Sequence, residues 1–258
     1  MRRLSTLVVL GLLAAGAAQS QNFITQGDDP IVVEADDGIE WLRDDKKYIA
    51  RGNARAARSG IEVLSDVLTA FYREKKAGKG QEVFRLDADG NVRIKSRDEQ
   101  AFGDKGVYYV DDSVFVMVGE NLRLVANRGT ITARDKLEYW DKRQIFVARG
   151  DAVVVSDDKR VKANVLVAYI GKNAKGKQEI QRVDAIANVH ISTETEIIRA
   201  DEAVYNLISQ IATLRGNVKI TRDNNQLNGD EAIVDLKTGI SRLLGTKGRV
   251  KGLIMPRR

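Results

Sequence analysis

The sequence predicts an all-β protein, a long antiparallel meander in which every strand carries a bend. Three observations predict it. Apolar residues alternate with polar ones along most of the chain, as in Ile61 and Val63 against Glu62, or Val218 and Ile220 against Lys219. That is the period of a strand with one buried face. Turn-forming clusters fall about 14–15 residues apart, among them Asp44-Asp45-Lys46-Lys47, Asp111-Asp112-Ser113, Asp141-Lys142-Arg143 and Asp223-Asn224-Asn225. Two short signatures recur between the turns at regular intervals. The two prolines, Pro30 and Pro256, stand near the ends, so neither interrupts the ladders between them.

The first signature is a Gly-Asn-like pair followed by an alternating run. It occurs at Gly52-Asn53, Gly90-Asn91, Glu120-Asn121, Gly150-Asp151, Ala187-Asn188 and Gly216-Asn217. The second ends in Asp or Asn, at Asp36, Asp66, Asp104, Asp135, Asn164, Asp201 and Asp230. From the first to the second is 13 residues in five cases and 14 in the sixth, and the return is 16–17, or 24–25 in two cases. The period is therefore about 30 residues. The two long returns hold Lys/Gly-rich loops, one with Lys75, Lys76 and Lys79, the other with Lys172, Lys175 and Lys177. Both signatures read as bend-formers, because Gly and Asn tolerate the strained dihedrals of a bulge. A tandem series of such hairpins makes an elongated rod with exposed sheet edges at its ends.

Composition closes other routes. The chain has 258 residues, 42 Lys+Arg, 36 Asp+Glu, one His and no Cys, with net charge +6. No disulfide, thiolate metal site or Cys nucleophile exists, and His190 alone cannot build a two-histidine zinc site. No cofactor and no metal is expected. Met1 to about Ser20 reads as a secretory signal: Arg2 and Arg3, an apolar Leu7–Leu13, then small residues with cleavage at Ala15-Gly16-Ala17 or Ala18-Gln19-Ser20. An uncleaved anchor helix is the alternative. Cleavage removes two arginines and leaves about +4, from 6 − 2. The remaining divisions are a flexible segment 21–28, a repeat domain 29–245 and a basic tail 246–258.

The run Pro30-Ile31-Val32-Val33-Glu34-Ala35-Asp36, then Ala50-Arg51-Gly52-Asn53, with the recurring Gly-Asn-Val and Ala-Asp units, resembles the OstA/LptA family of periplasmic lipopolysaccharide-transport proteins. The resemblance runs over about Asp29 to Leu244. It implies a folded, taco-like β-jellyroll with an apolar groove. Lipid A acyl chains occupy that groove, and protomers join end to end with one another and with homologous domains of inner-membrane export and outer-membrane translocon partners. It also implies a periplasmic location and no catalysis. The chain departs from a minimal family member by its length, its two Lys/Gly loops, and Ala54 and Ala56 where bulkier residues are typical.

The expected groove residues are Ile31, Val33, Ile61, Val63, Val92, Ile94, Phe102, Leu122, Leu124, Ile131, Val153, Val155, Val189, Ile191, Ile197, Val218 and Ile220. The competing reading of the same set is a closed core. Trp41, Phe102, Tyr109, Tyr139, Trp140 and Tyr169 read as packing residues or as gates of the groove. The loop lysines read as solvated tips or as contacts for lipid A phosphates. His190 reads as a surface residue, and the recurring aspartates as bend-formers rather than a calcium site. Three other functions compete: an inner-membrane-anchored relative in the same pathway, a β-helix enzyme acting on polysaccharide, and a structural rod without lipid. Interspersed acids and the secretory leader disfavour nucleic acid.

Overall fold

The computed structural model describes residues 31–58, 60–75, 80–126, 129–156, 159–174, 176, 178–235, 237–238, 240–245 and 248–255. The expected signal 1–20, the segment 21–28, Lys76, Lys79, Lys175, Lys177 and the tail residues 256–258 lie outside them. The chain divides into two compact units. Among the described residues the N-terminal unit is 31–126 with 132–146, and the C-terminal unit is 129–131 with 147–255.

The N-terminal unit contains β1 (Val32–Glu34), β2 (Gly38–Leu42), β3 (Lys47–Arg58), β4 (Ile61–Glu74), β5 (Gln81–Lys95), β6 (Glu99–Tyr109), β7 (Val114–Val118), β8 (Arg123–Ala126) and β10 (Lys136–Trp140). β3 to β6 form an antiparallel meander. β1 and β2 both pair with β3, β7 and β8 both pair with β6, and β10 pairs with β7. In the C-terminal unit are β9 (Gly129–Thr132), β11 (Ile145–Ser156), β12 (Lys159–Lys172), β13 (Gln178–Ser192), β14 (Glu196–Asn206), β15 (Ile211–Arg222), β16 (Asn225–Asp235), β17 (Ile240–Leu244) and β18 (Lys251–Leu253). β12 to β16 again form an antiparallel meander, and β17 and β18 share β16 as partner. The only helical element among the described residues is a 3-10 turn, Asp141–Arg143. The all-β expectation therefore holds.

The bends have one construction. Gly52/Asn53, Gly90/Asn91, Gly150/Asp151, Ala187/Asn188 and Gly216/Asn217 are consecutive pairs at positive φ. At Asn53, Asn91, Asn188 and Asn217 the register slips: Leu64 faces Arg93 but Val67 faces Asp89, so β5 spends one residue more than β4. This is a bulge, and it turns the strand. The second signature completes it. Asn53 Nδ2 donates to Asp36 Oδ2 at 2.8 Å, Asn91 Nδ2 to Asp66 Oδ2 at 2.9 Å, Asn188 Nδ2 to Asn164 Oδ1 at 3.2 Å, and Asn217 Nδ2 to Asp201 Oδ2 at 2.8 Å. The two signatures are thus two halves of one cross-strand clasp. The hydrogen bond bridges the variable return interval, not the constant 13-residue one. At Gly90 and Gly216 glycine is needed because the aspartate occupies the space of a side chain: a Cβ there would overlap Asp66 Oδ2 and Asp201 Oδ2, whereas Ala187 takes the same place opposite Asn164.

One signature differs. At Glu120-Asn121 the backbone N–H of Glu120 donates to Asp104 Oδ2 at 2.8 Å, and Gly119 takes φ +157. Without a left-handed pair, the strand breaks into β7 and β8 instead of bending continuously.

Gly216→Ala combines a left-handed alanine with a clash, and a cost of about 2 kcal/mol is expected in urea unfolding. Adding Asp201→Ala removes the clashing carboxylate, so the double variant loses less than the sum of the single losses. Additive losses would contradict the clasp.

Candidate functional site

The clasp decides which residues share a face. In first-signature strands the buried residues stand two before and two after the first residue of the pair: Ala88 and Val92 about Gly90, Leu214 and Val218 about Gly216. In second-signature strands they stand one before and two after the Asp or Asn: Ala163 and Leu166 about Asn164, Ala200 and Ala203 about Asp201. The inner face so defined is continuous from strand to strand. In the C-terminal unit one row is Val161, Ile191, Ile198, Ile220 and Leu227, facing partners in register. Across the bend a second row is Leu166, Ala185, Ala203, Leu214, Ala232 and Leu243. The N-terminal unit repeats this with Val63, Ile94, Ala101 and Leu124, then Leu68, Ala88, Gly106, Met117 and Leu137.

The middle of each face is sealed by its own side chains. Val92, Met117, Ile191, Leu214 and Val218 are all under 2% exposed, and burying such a side chain contributes about 1.5–3 kcal/mol. Of the expected groove residues, Val92, Ile94, Leu122, Val189, Ile191, Val218 and Ile220 are buried inner-face residues. Ile61, Val63, Leu124 and Ile131 are half-buried, and Ile31 and Val33 are exposed on the edge segment before and within β1. Four expectations are corrected. Val153 and Val155 lie on the outer face, because Ala152, Val154 and Ser156 are the buried set of β11. Ile197, 44% exposed, is outward, and Ile198 is its buried neighbour. Phe102 faces Arg93 in register and lies under the Arg123 guanidinium, 4.1 Å from the ring centre.

The aromatics separate in the same way. Trp41 stacks on Tyr48 at 5.5 Å and donates from Nε1 to Tyr72 Oη at 2.8 Å, at the β2 end of the N-terminal inner face. Tyr109 and Tyr169 lie outward beneath Arg85 and Arg182. Tyr139 is buried beside Asp141 and Gln144, and Trp140 donates to Glu138 Oε2 at 3.0 Å. Only Trp41 among the six stands where a gate would. Lys75 and Lys172 are the loop lysines within the described residues.

Polar groups border the apolar rows. Glu196 faces Arg222, which faces Asn225, just beyond the row of Ile198 and Ile220. Glu196 is ion-paired with Arg222 and almost fully buried. Burial pushes its carboxyl up from the ordinary glutamate range, and Arg222 opposes this in part. Glu99 holds the matching place in the N-terminal unit, opposite Ala126, and burial, then Asp98, raises it too. Among the described residues no group of three or more His, Cys, Asp or Glu side chains gathers as a metal site would need.

The structure also reveals a longer repeat. Lys46 and Gln144, Gly52 and Gly150, and Asn53 and Asp151 are 98 residues apart, and all have positive φ. Gly90 and Ala187, Asn91 and Asn188, Ser113 and Gln210, and Gly119 and Gly216 are 97 apart, again all at positive φ. Residues 33–126 and 131–222 are therefore tandem copies. The copies compensate one another in volume. Gly103 and Gly106 lie against Met117 and Phe115, whereas 97 residues on stand Ala200, Ala203, Leu214 and Ala212.

Residues 130–240 match the family model described as "LptA/(LptD N-terminal domain) LPS transport protein". An uncharacterized protein of Rhizobium meliloti is 25% identical over 126 residues, 46% of this chain and 66% of its own length. The match thus spans just under two thirds of that relative. The crystal structure of LptH of Pseudomonas aeruginosa, described as the LptA-homologous periplasmic component of a lipopolysaccharide transport device, overlaps 49% of this chain and 94% of its own, with 18% identity and a TM-score of 0.43.

A carboxyl raised in the folded state is harder to ionise there than in the unfolded chain. It removes stability as pH rises from the ordinary carboxylate range through its raised value. Glu99→Gln is expected to gain in urea midpoint over the unchanged protein as pH goes from 4.5 to 7.5. A difference independent of pH would contradict the burial of Glu99.

Proposed function

We propose that this chain, whose residues 130–240 match the model of the LptA/LptD N-terminal family of lipopolysaccharide transport proteins, is a periplasmic carrier that shelters lipopolysaccharide acyl chains against its inner face. The observation carrying this is the pair of apolar rows, one on each side of the bend, that pass unbroken from strand to strand. A fatty chain gains about 0.8 kcal/mol for each CH₂ removed from water, so several long chains need a continuous apolar surface. They do not need directional polar groups to be held. Side chains such as Met117 and Phe115, which pack over Gly103 and Gly106, provide the surface that can be rearranged to admit them. The sealed middle of each face corresponds to the lipid-free state.

The edges fit end-to-end assembly. Ile39 and Trp41 on β2 are 54% and 46% exposed, and Ile240 on β17 and Leu253 on β18 are 54% and 60% exposed. Apolar edge strands of this kind are templates for another strand. A second copy, or a homologous domain on an inner- or outer-membrane partner, would extend the sheet and the apolar rows together. The leader 1–20 directs the chain to the periplasm in this reading. An uncleaved leader would make it the membrane-anchored relative, and the mass of the mature N-terminus separates the two.

Photo-reactive residues placed at Val92 or Ile191 are expected to crosslink lipopolysaccharide, and one placed at outward Arg93 to do so at least fivefold less. Equal labelling of the two faces would overturn the carrier.

A further inference from the structure

Charged residues on the outward face of the strands are mostly compensated. Arg55 pairs with Glu34 and Glu62, Arg73 with Glu82 and Asp111, Arg85 with Asp87, and Arg182 with Asp184. One row in the C-terminal unit breaks this rule. Lys162 faces His190, His190 faces Arg199, Arg199 faces Lys219, Lys219 faces Asn228 and Asn228 faces Lys251. Neighbouring strands lie about 4.8 Å apart, so four cations and a histidine share a stripe only about 25 Å long.

Lys162 has Asp151 at 3.3 Å. Arg199 and Lys219, directly opposite each other, have no ion-pair partner among the described residues. Like charges in facing positions destabilise a sheet, so this row costs stability as it stands. His190 registers the local field. It is held below the ordinary imidazole range, first by burial and then by Arg199, Arg160 and Lys162. The tandem copy carries no such row: Leu64, Arg93 and Phe102 occupy the places of Lys162, His190 and Arg199. The stripe therefore does not follow from the fold.

The adjoining row on the same face is Ser192, Ile197, Thr221, Gln226 and Leu253, with Ile197 44% and Leu253 60% exposed. Beyond it Ile254 and Met255 are 73% and 54% exposed. A band of cations, most of them without an acidic partner among the described residues, beside exposed aliphatic side chains matches the charge and the apolar boundary of a bilayer with anionic headgroups. An acidic protein surface would match the cations but leave Ile197, Leu253 and Ile254 without a role.

We propose that the outward face of β12 to β16 and β18, through Arg199, Lys219 and Lys251 with Ile197 and Leu253, docks the protein on an anionic phospholipid bilayer. The face is opposite the inner apolar rows, so docking and acyl-chain shelter use different surfaces.

The test is flotation of the purified protein, in the form the cell accumulates, with vesicles of phosphatidylcholine alone or with 30% phosphatidylglycerol. Binding to the anionic vesicles only, weakened by salt, is expected. Arg199→Gln and Lys219→Gln should each weaken it about fivefold, since a basic residue near such a surface is worth about 1 kcal/mol. The double variant should melt no lower than the unchanged protein, because it loses a repulsion, so its weakened binding is not unfolding. Arg93→Gln in the other copy should bind as before. Equal binding to both vesicle types, full binding by the double variant, or equally tight binding to soluble polyglutamate would each overturn the proposal.

Discussion

Everything in this fold depends on a consecutive pair of residues in the left-handed region, clasped by a carboxylate or amide from the next strand. An ordinary strand alternates its faces without interruption. Here each strand of 11–15 residues must turn sharply in its middle and still keep its apolar residues on one side. The extra residue at Gly-Asn supplies the turn. The aspartate across the ladder accepts the Asn amide and fills the volume that glycine leaves empty. A hydrogen bond of this kind is worth about 1 kcal/mol net, so no single clasp holds the protein together. Repeated through both units, the clasps fix the register that makes the apolar rows line up.

That register converts a simple pattern into a surface. The rows are built from Val, Ile, Leu and Ala facing their own kind, with polar groups such as Glu196 and Arg222 confined to the border. In the proposed carrier, such a surface would hold methylene chains without reading their structure. Its similar rows would hold them with similar strength at each step, as the proposed carrier needs if cargo is to be passed on rather than trapped. The lipid-free face closes on itself because exposed rows of that length would cost far more than the protein's net stability. Under the proposed function, loading would exchange side-chain contacts for acyl contacts.

Much of this was legible from the sequence, and the misreadings share one cause. The period of two, the 30-residue repeat and the bend positions follow directly from Gly-Asn and Ala-Asp spacing. Alternation points to one face directly wherever a polar residue separates the apolar ones, as Arg93 separates Val92 from Ile94. It failed at Val153-Val154-Val155 and Ile197-Ile198, where apolar runs hide the alternation. Counting from the clasp would have resolved both: the residue after Asn or Asp of the first signature, and the residue before Asp of the second, point inward. Phe102, two before Asp104, is outward by the same count. The cation row was not legible at all. Lys162, His190, Arg199 and Lys219 are far apart in sequence and meet only through the register, which depends on bulges at Asn188 and Asn217. The 97-residue duplication was masked by the shorter period inside it.

The account stands or falls on which face meets the acyl chains. The direct measurement is methyl NMR with lipopolysaccharide carrying a nitroxide at the end of an acyl chain. The account predicts broadening of the Val92, Ile191 and Leu214 methyl signals, with the outward Val125 and Ile186 signals left sharp. Broadening of Val125 and Ile186 with the inner methyls unaffected would contradict it.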